Sequence, residues 1–327
     1  MRILHIIPYF YPAWSYGGTC RAAWELARAL VREGQEVVVY TTDALDSRSR
    51  ANCAYEVVDG VEIHRVRNLS NHLAWRRLFL PVKFGSQLRS ALEGADVVHL
   101  HEFRSYQNAV ALPIMEKIGV PFVLTAQGGL PRIMGRRSLK ALYDRFVGQR
   151  ILTRARRLHA LNEVEREQFI ALGVQPNRIA ILPNGVDLDE YKELPLVKGF
   201  RERFDIPFDA PIVLFLARVN KIKGVKFLVS SFNEVLRSMP NAMLVIVGPD
   251  GLSALETAMH RVPSQLQFGR DIAVRVNPSP RSPMRCLSNL SVSNSLMADQ
   301  HIGARKEALD TPVLLVDLDV LERNILK

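Results

Sequence analysis

The chain opens with the pattern of a strand, a helix and a second strand. Apart from His5, Ile3–Ile7 is an apolar run of the kind found in strands buried on both faces. Apolar residues then recur at helical spacing from Thr19, a suitable helix N-cap, to Gly34, a suitable helix end. Glu36–Thr42 is apolar again and rich in β-branched residues. The pattern predicts a βαβ unit with a right-handed crossover.

Further strand patterns follow, each separated from the next by a helical one. The predicted strands are Val61–Val66, Asp96–Leu100, Phe122–Thr125, Arg157–Ala160 and Arg178–Leu182. This alternation predicts an α/β fold with a doubly wound parallel sheet.

The pattern restarts after Asp187, which indicates a second domain. Pro211–Leu216 and Ala242–Val247 predict strands, and Gly224–Met239 predicts a helix between them. Beyond residue 252 the apolar residues do not recur at the spacing of a strand (every second residue) or of a helix (every 3.6 residues). We therefore predict an N-terminal Rossmann-like domain over residues 1–195, a partial second domain over 196–252, and an atypical, partly disordered tail over 253–327.

Composition narrows the class of protein. Hydrophobic residues make up 48% of the 327 residues and charged ones 23%, which excludes a chain that is disordered throughout. No apolar run reaches the ~18 residues that a membrane span needs. A signal peptide is not predicted, because His5 and Pro8 interrupt the first apolar stretch and no small-residue cleavage site follows. Three cysteines without a Cys-x-x-Cys pair favour a reducing, cytoplasmic setting.

The formal net charge of +10 is concentrated in two stretches. Residues 131–157 hold nine basic side chains against one acid, Asp144, and residues 75–89 hold four basic side chains and no acid. Such stretches are either solvated helix faces or surfaces for phosphate-bearing substrates or an anionic membrane. Nucleic acid is not a predicted partner, because no RNA- or DNA-binding motif accompanies the charge.

Three loops at predicted strand ends are candidate ligand sites. Gly17 and Gly18 precede the first helix, where glycines let a phosphate or sugar approach the backbone. Gln127 lies in a Thr-Ala-Gln-Gly-Gly loop after another strand, and Asn184 lies in a Pro-Asn-Gly turn. The alternative for each loop is an ordinary turn that binds no ligand. We expect the Gln127 loop to face the Gly17–Gly18 loop across one cleft, whereas the Asn184 turn by itself indicates no chemistry.

Two further groups carry charge or metal-binding chemistry. His99 and His101 lie on the same side of a strand, but no third ligand at a suitable spacing follows, so a substrate-facing polar cluster is predicted rather than a metal site. Arg218 and Lys223 flank a loop that opens a helix at Gly224. Two cations and a helix N-terminus are the combination that binds a diphosphate.

These segments, in this order, resemble the retaining glycosyltransferases of the GT-B fold, in the family 4 group that includes bacterial sucrose and mannosyl transferases. The matching segments are MRILHIIPYFYPAWSYGGTCRAAWELARALVREGQEVVVYTT, ADVVHLHEF, VPFVLTAQGGLPR, RIAILPNGVD, LFLARVNKIKGVKFLVSSF and LVIVGPDG. They cover roughly residues 1–252.

The resemblance implies two Rossmann-like, doubly wound parallel-sheet domains, the second incomplete in this chain. The N-terminal domain would take the acceptor and the C-terminal one the nucleotide sugar. Gly17 and Gly18 would line the cleft for the donor phosphate and the acceptor. Arg218 and Lys223 would hold the diphosphate and stabilise the leaving group without a metal. Gln127 stands where the family commonly has a histidine that orients the transferred sugar.

The resemblance also implies a function, with two departures from the family pattern. The expected reaction is hexose transfer from a nucleotide sugar to a glycan or lipid-linked acceptor in surface polysaccharide synthesis, in the cytoplasm or at the inner membrane face, without a metal or other cofactor. The family's pair of glutamates eight residues apart is not found here. The segment Ala308–Ile325 is similar to the opening of pyridoxal-phosphate-dependent D-threonine aldolases and alanine racemases, but it lacks a cofactor lysine. The alternative is therefore an inactive remnant that only binds ligands.

Overall fold

The computed structural model describes residues 1–132, 137–188, 192, 198–203, 206–217, 223–247, 267–268 and 272–275. The chain forms two compact units, Met1–Val186 and Asp187–Lys327. Arg218 and the segment Ala308–Ile325 lie outside the described residues, and the division at residues 195 and 252 stays a prediction.

The first unit is built on an eight-stranded sheet. Its strands are β1 (Arg2–Ile6), β2 (Glu36–Thr42), β3 (Tyr55–Val58), β4 (Val61–Val66), β5 (Val97–His101), β6 (Phe122–Thr125), β7 (Arg157–Ala160) and β8 (Ile179–Ile181). Their order across the sheet is β3-β4-β2-β1-β5-β6-β7-β8. All neighbouring strands pair in parallel except β3 and β4, which are antiparallel. The sequence pattern did not predict strand β3. The carboxyl ends of β1, β5, β6 and β7 therefore meet along one edge.

Helices cover both faces of this sheet. They are α1 (Gly18–Arg32), α2 (Asn71–Trp75), α3 (Phe84–Glu93), α4 (Tyr106–Ile118), α5 (Arg137–Tyr143), α6 (Gln149–Arg154) and α7 (Glu163–Ala171). On one face Leu4 packs with Leu88 of α3 and Leu112 of α4. On the other, Val39 packs with Trp24 of α1. Burial on both faces explains why the central strands are almost continuously apolar.

Helix α1 begins differently from the prediction. Its N-cap is Gly17, with no side-chain cap, and Thr19 lies within the first turn. The Thr19 side chain hydrogen-bonds Tyr9 instead. Gly17 has φ +102°, a conformation that a residue with a Cβ adopts only under strain. The tight turn that sets the start of the helix therefore depends on a glycine.

The second unit has a smaller sheet. It contains β9 (Ile212–Leu216), β10 (Met243–Val247), β11 (Gln267–Phe268) and β12 (Ile272–Arg275), with helices α8 (Lys198–Arg203) and α9 (Val225–Ser238). β9 and β10 are parallel, whereas β12 runs antiparallel to both β10 and β11. Phe232 of α9 packs on Leu244 of β10. Strands β11 and β12 fall where the sequence showed no periodicity, because they are too short to produce one.

Candidate active site

The strand ends of the first unit are joined by hydrogen bonds into one polar edge. The Tyr9 hydroxyl, after β1, donates to Glu102, after β5. The Glu102 amide donates to the Thr125 carbonyl at the end of β6, at 3.0 Å. The Gly128 amide, after β6, donates to the carboxylate of Glu165 on α7, at 2.7 Å. Loops that follow four neighbouring strands are thus fixed relative to one another.

The glycine turn offers open backbone at this edge. A Cβ placed on either Gly17 or Gly18 would meet no heavy atom within 4 Å. Gly18 is the first residue of α1, so first-turn amides of a 15-residue helix lie beside the turn. Helix N-terminal amides carry partial positive charge and bind anions. This arrangement suits a phosphate or a sugar hydroxyl.

An aromatic cluster supports the loop before this turn. Tyr9, Tyr16 and Phe79 are buried with ring centroids 4.9–5.1 Å apart. The Arg77 guanidinium lies 4.9 Å from the Tyr9 ring centre and 3.8 Å from the Glu102 carboxylate. Burial alone would lower the pKa of Arg77, but Tyr9 and Glu102 outweigh burial and raise it. Burial, with a further contribution from Glu102, raises the pKa of Tyr9, so the hydroxyl stays a donor.

The loop that carries Gln127 is held from two sides. Gln127 has φ 53°, in the left-handed region. The Glu165 carboxylate accepts from the Gly128 amide on one oxygen, and from the Leu161 amide at 2.8 Å on the other. The Arg104 guanidinium donates to the Gly129 carbonyl and, at 2.8 Å, to that of Leu130. The loop is therefore positioned before any ligand arrives.

Asp144 completes this clamp. It accepts from Arg104 at 2.6 and 2.8 Å and from Arg132 at 2.7 Å. Burial alone would raise the pKa of Asp144, but the hydrogen bonds from the two arginines outweigh burial and lower it. Asp144 is thus held as a carboxylate, which fixes Arg104 against the loop.

Three histidines form a buried cluster beneath the edge. His5 of β1 is the register partner of His99 on β5, and His101 follows two residues later. The ring centroids lie 4.1–5.1 Å apart. Desolvation lowers the pKa of His5 to about 4, and it lowers the pKa values of His99 and His101 well below their usual range. All three rings are therefore neutral at physiological pH.

A chain of hydrogen bonds joins His99 to β7. His159 on β7 donates from Nε2 to the Leu182 carbonyl, and its Nδ1 shares a hydrogen bond of 2.8 Å with the Thr125 hydroxyl. The Thr125 hydroxyl also shares a hydrogen bond of 2.7 Å with His99 Nε2. His5 Nδ1 and His101 Nε2 share one hydrogen bond of 2.9 Å. Their other nitrogens are buried with no hydrogen-bond partner in the described part of the chain.

This cluster corrects two expectations. The sequence offered no third ligand beside His99 and His101, yet His5 brings three imidazole nitrogens within 4.8 Å of one another, which is the donor set of a zinc site. Two of the three ring pairs are stacked, and the His5–His99 pair is tilted. His101 is 1% exposed and hydrogen-bonded to His5. Its ring therefore lies beneath the polar edge of strand ends and not at a substrate-facing surface.

The remaining predicted site residues are distributed over both units. Asn184 follows β8 and is exposed. Lys223 is exposed one residue before Gly224, which caps α9. The cation and helix start that the sequence predicted are therefore present in the second unit.

Comparison with known proteins identifies the family. The Glycosyl transferase 4-like domain matches residues 17–185, the segment that contains the glycine turn, the clamped loop and Asn184. The chain belongs to this family. The predicted GT-B glycosyltransferase resemblance is thereby confirmed, while the expected truncation and the resemblance of Ala308–Ile325 to aldolases stay predictions.

Several relatives are 25–28% identical to this chain over the aligned residues. It is 28% identical over 256 residues to a D-inositol 3-phosphate glycosyltransferase from Kineococcus radiotolerans, which covers 69% of this chain and 55% of the relative. It is 26% identical over 195 residues to the GDP-mannose:cellobiosyl-diphosphopolyprenol alpha-mannosyltransferase of Xanthomonas campestris, over 58% of this chain and 48% of the relative. The chain thus spans about half the length of these two proteins.

Solved structures confirm the fold class. Anabaena HepE in complex with UDP and glucose matches with a TM-score of 0.58 at 13% identity, over 80% of this chain and 65% of that one. Sucrose-phosphate synthase from Thermosynechococcus elongatus matches with a TM-score of 0.56 at 17% identity, over 77% and 63%. The predicted GT-B fold is correct. None of the helices that the structure describes combines the length and apolar character that crossing a bilayer requires.

Sequence reasoning missed the residues that hold this site together. Glu165, Arg104 and Arg77 each act across more than 20 residues of chain, so no local motif reveals them. One signal was present: Glu165 stands three residues after Asn162, the spacing of a helix capping box. In the sequence, His5 stands out only as a polar residue that interrupts an apolar run.

Proposed function

We propose that this glycosyltransferase-family protein transfers a hexose from a nucleotide diphosphate sugar to a glycan or lipid-linked acceptor in surface polysaccharide synthesis. The observation that carries the proposal is the hydrogen-bonded edge formed by the Tyr9, Glu102, Gly128 and Glu165 contacts. It joins the segments that follow β1, β5, β6 and β7 at the carboxyl ends of parallel strands, where α/β folds bind ligands.

The relatives support the choice of substrates. One is named for a phosphorylated acceptor, D-inositol 3-phosphate, and another for a GDP-mannose donor and a diphosphopolyprenol acceptor. A structural neighbour was captured with UDP and glucose. The net charge of +10 of this chain favours acceptors of that anionic type.

The residues have distinct roles in this proposal. Gly17 and Gly18 let the acceptor or the donor phosphate approach the backbone, and Gln127 orients the transferred sugar. Asn184 contributes a polar contact. Arg218 and Lys223 stabilise the charge that develops on the departing nucleoside diphosphate, so the transfer needs no metal.

His101 has a supporting role. Because its ring is buried beside His5, it acts on the site only through the backbone of β5, which ends at His101 and leads into Glu102. We therefore assign His101 to positioning of the edge, not to contact with substrate.

A donor panel tests the proposal directly. The intact chain is incubated with UDP-, GDP- and ADP-hexoses and a polyprenyl-diphosphate sugar, and release of the nucleoside diphosphate is followed with and without a chelator. We expect release that depends on the acceptor and continues in the chelator. Donor binding without any release would favour the inactive remnant, and chelator-sensitive release would contradict the metal-independent mechanism.

A further inference from the structure

We propose that the helical stretch from Arg137 to Arg154 lies in the surface of an anionic bilayer with Leu139, Leu142 and Phe146 inserted among the lipids. The inference deepens the proposed function, because it names the surface at which a lipid-linked acceptor would be met.

The three apolar side chains share one face and are open to solvent. Leu139 and Leu142 are each 55% exposed and Phe146 is 60% exposed. Leu139 and Leu142 lie in α5, and Phe146 lies in the π-helical turn Asp144–Gly148 that connects α5 to α6. Their spacings of three and four residues place them along one side of this continuous helical stretch. Three large apolar groups side by side on a surface mark an interaction site more reliably than scattered ones do.

The opposite side of the same stretch is packed against the domain. Asp144 is 8% exposed and is bonded to Arg104. A Cβ added at Gly148 would lie 2.8 Å from the Phe103 ring. Ile151 and Leu152 are buried. The stretch therefore has a fixed inner face, and its apolar outer stripe is a stable feature of the surface.

Basic side chains accompany the apolar stripe along the same helical stretch. Arg137 and Arg145 are exposed. Arg150 and Arg154 keep 54% and 70% of their side chains exposed, and both pair with the single carboxylate of Glu116. Residues 131–157 hold nine basic side chains and one acid, and that acid, Asp144, is turned inward.

This combination selects a lipid surface over a protein partner. A helix with an apolar stripe flanked by Arg and Lys lies in the interface plane, where hydrocarbon receives the stripe and anionic headgroups receive the cations. The core of a protein interface would have to bury that stripe while leaving an excess of positive charge at its rim. An anionic bilayer satisfies both parts of the surface at once.

Vesicle co-sedimentation of the intact chain tests the inference. We expect binding to vesicles that contain phosphatidylglycerol, weaker binding to pure phosphatidylcholine, and a decrease as salt is raised. The variant L139S/L142S/F146S should bind at least about tenfold more weakly. The matched control is V57S/V164S/F227S, which removes three apolar side chains that are 54%, 67% and 77% exposed elsewhere on the protein and should bind like the parent.

A second measurement reports insertion itself. In the variant Phe146→Trp, brominated lipids should quench fluorescence beyond the quenching seen in the parent. Three results would each overturn the inference. The triple serine variant could bind vesicles as well as its control does, or the Phe146→Trp variant could show no extra quenching. The third result is that the parent self-associates and does not bind vesicles. Because the assay needs neither donor nor acceptor, its failure is separate from a failure of the proposed transfer reaction.

Discussion

Acidification should destabilise the first unit through its buried histidines, and the pKa shift of His5 gives the size of the effect. Desolvation lowers the pKa of His5 from 6.5 to about 4. When the pKa of a histidine is lower in the folded state than in the unfolded chain, its contribution to stability is fully present above the unfolded pKa. For His5 that contribution is lost as the pH falls from 6.5 towards 4, because the unfolded chain binds the proton first.

The magnitude follows from the size of the pKa difference. At ~1.4 kcal/mol for each unit of pKa, His5 alone accounts for about 3 kcal/mol over the whole window. Between pH 7 and pH 5 the loss is about 2 kcal/mol, because the folded-state pKa has not yet been reached. The pKa values of His99 and His101 are shifted in the same direction, so they add to the loss.

The assay is urea unfolding followed by tryptophan fluorescence at pH 7, 6 and 5. All three tryptophans, Trp14, Trp24 and Trp75, lie in the first unit, so the signal reports this unit and not the second. In the variant His5→Leu the pH dependence should be shallower by up to ~1.4 kcal/mol per pH unit. His72→Asn, at an exposed histidine, is the control and should keep the dependence of the parent.

Two results would refute the reasoning. If the free energy of unfolding at pH 5 equals that at pH 7, the three rings are not neutral and desolvated in the folded state. If His5→Leu retains the full pH dependence, the protons that the unfolded chain takes up bind elsewhere.

Three further outcomes are expected. The double variant R218A/K223A should abolish nucleoside-diphosphate binding in calorimetry, since both cations face the diphosphate in the proposed site, and unchanged affinity would contradict that assignment. Glu165→Ala should lower the free energy of unfolding by about 1–3 kcal/mol in thermal unfolding, because the Gly128 and Leu161 amides lose their acceptor. Glu165→Gln keeps a carbonyl acceptor and should lower the free energy of unfolding by less. Equal losses in the two variants would contradict the role of Glu165 in holding the Gln127 loop. Limited proteolysis should leave the first unit as a protected fragment because it has its own core, and rapid cleavage within residues 1–132 would show otherwise.

The sequence by itself determined the parallel strands of the first unit, though not β3, and the position of the candidate loops. β2, β4, β6 and β7 begin and end where the sequence pattern predicts. In β4 this pattern is an alternation of buried and partly buried residues, whereas β2 is buried at every position after Glu36. The glycine turn and the Gln127 loop follow strands β1 and β6, as the strand–loop order required.

Only the tertiary structure decided what surrounds those loops. The pairing of His5 with His99 depends on the register of β1 and β5, which lie 94 residues apart in the chain, and a shift of one residue would turn the two rings to opposite faces. The contacts of Arg104 with Asp144, 40 residues apart, likewise exist only once the sheet is assembled. Local apolar patterns record which residues must be buried, but they carry no information about which distant polar groups meet, since that depends on how the strands are ordered in space.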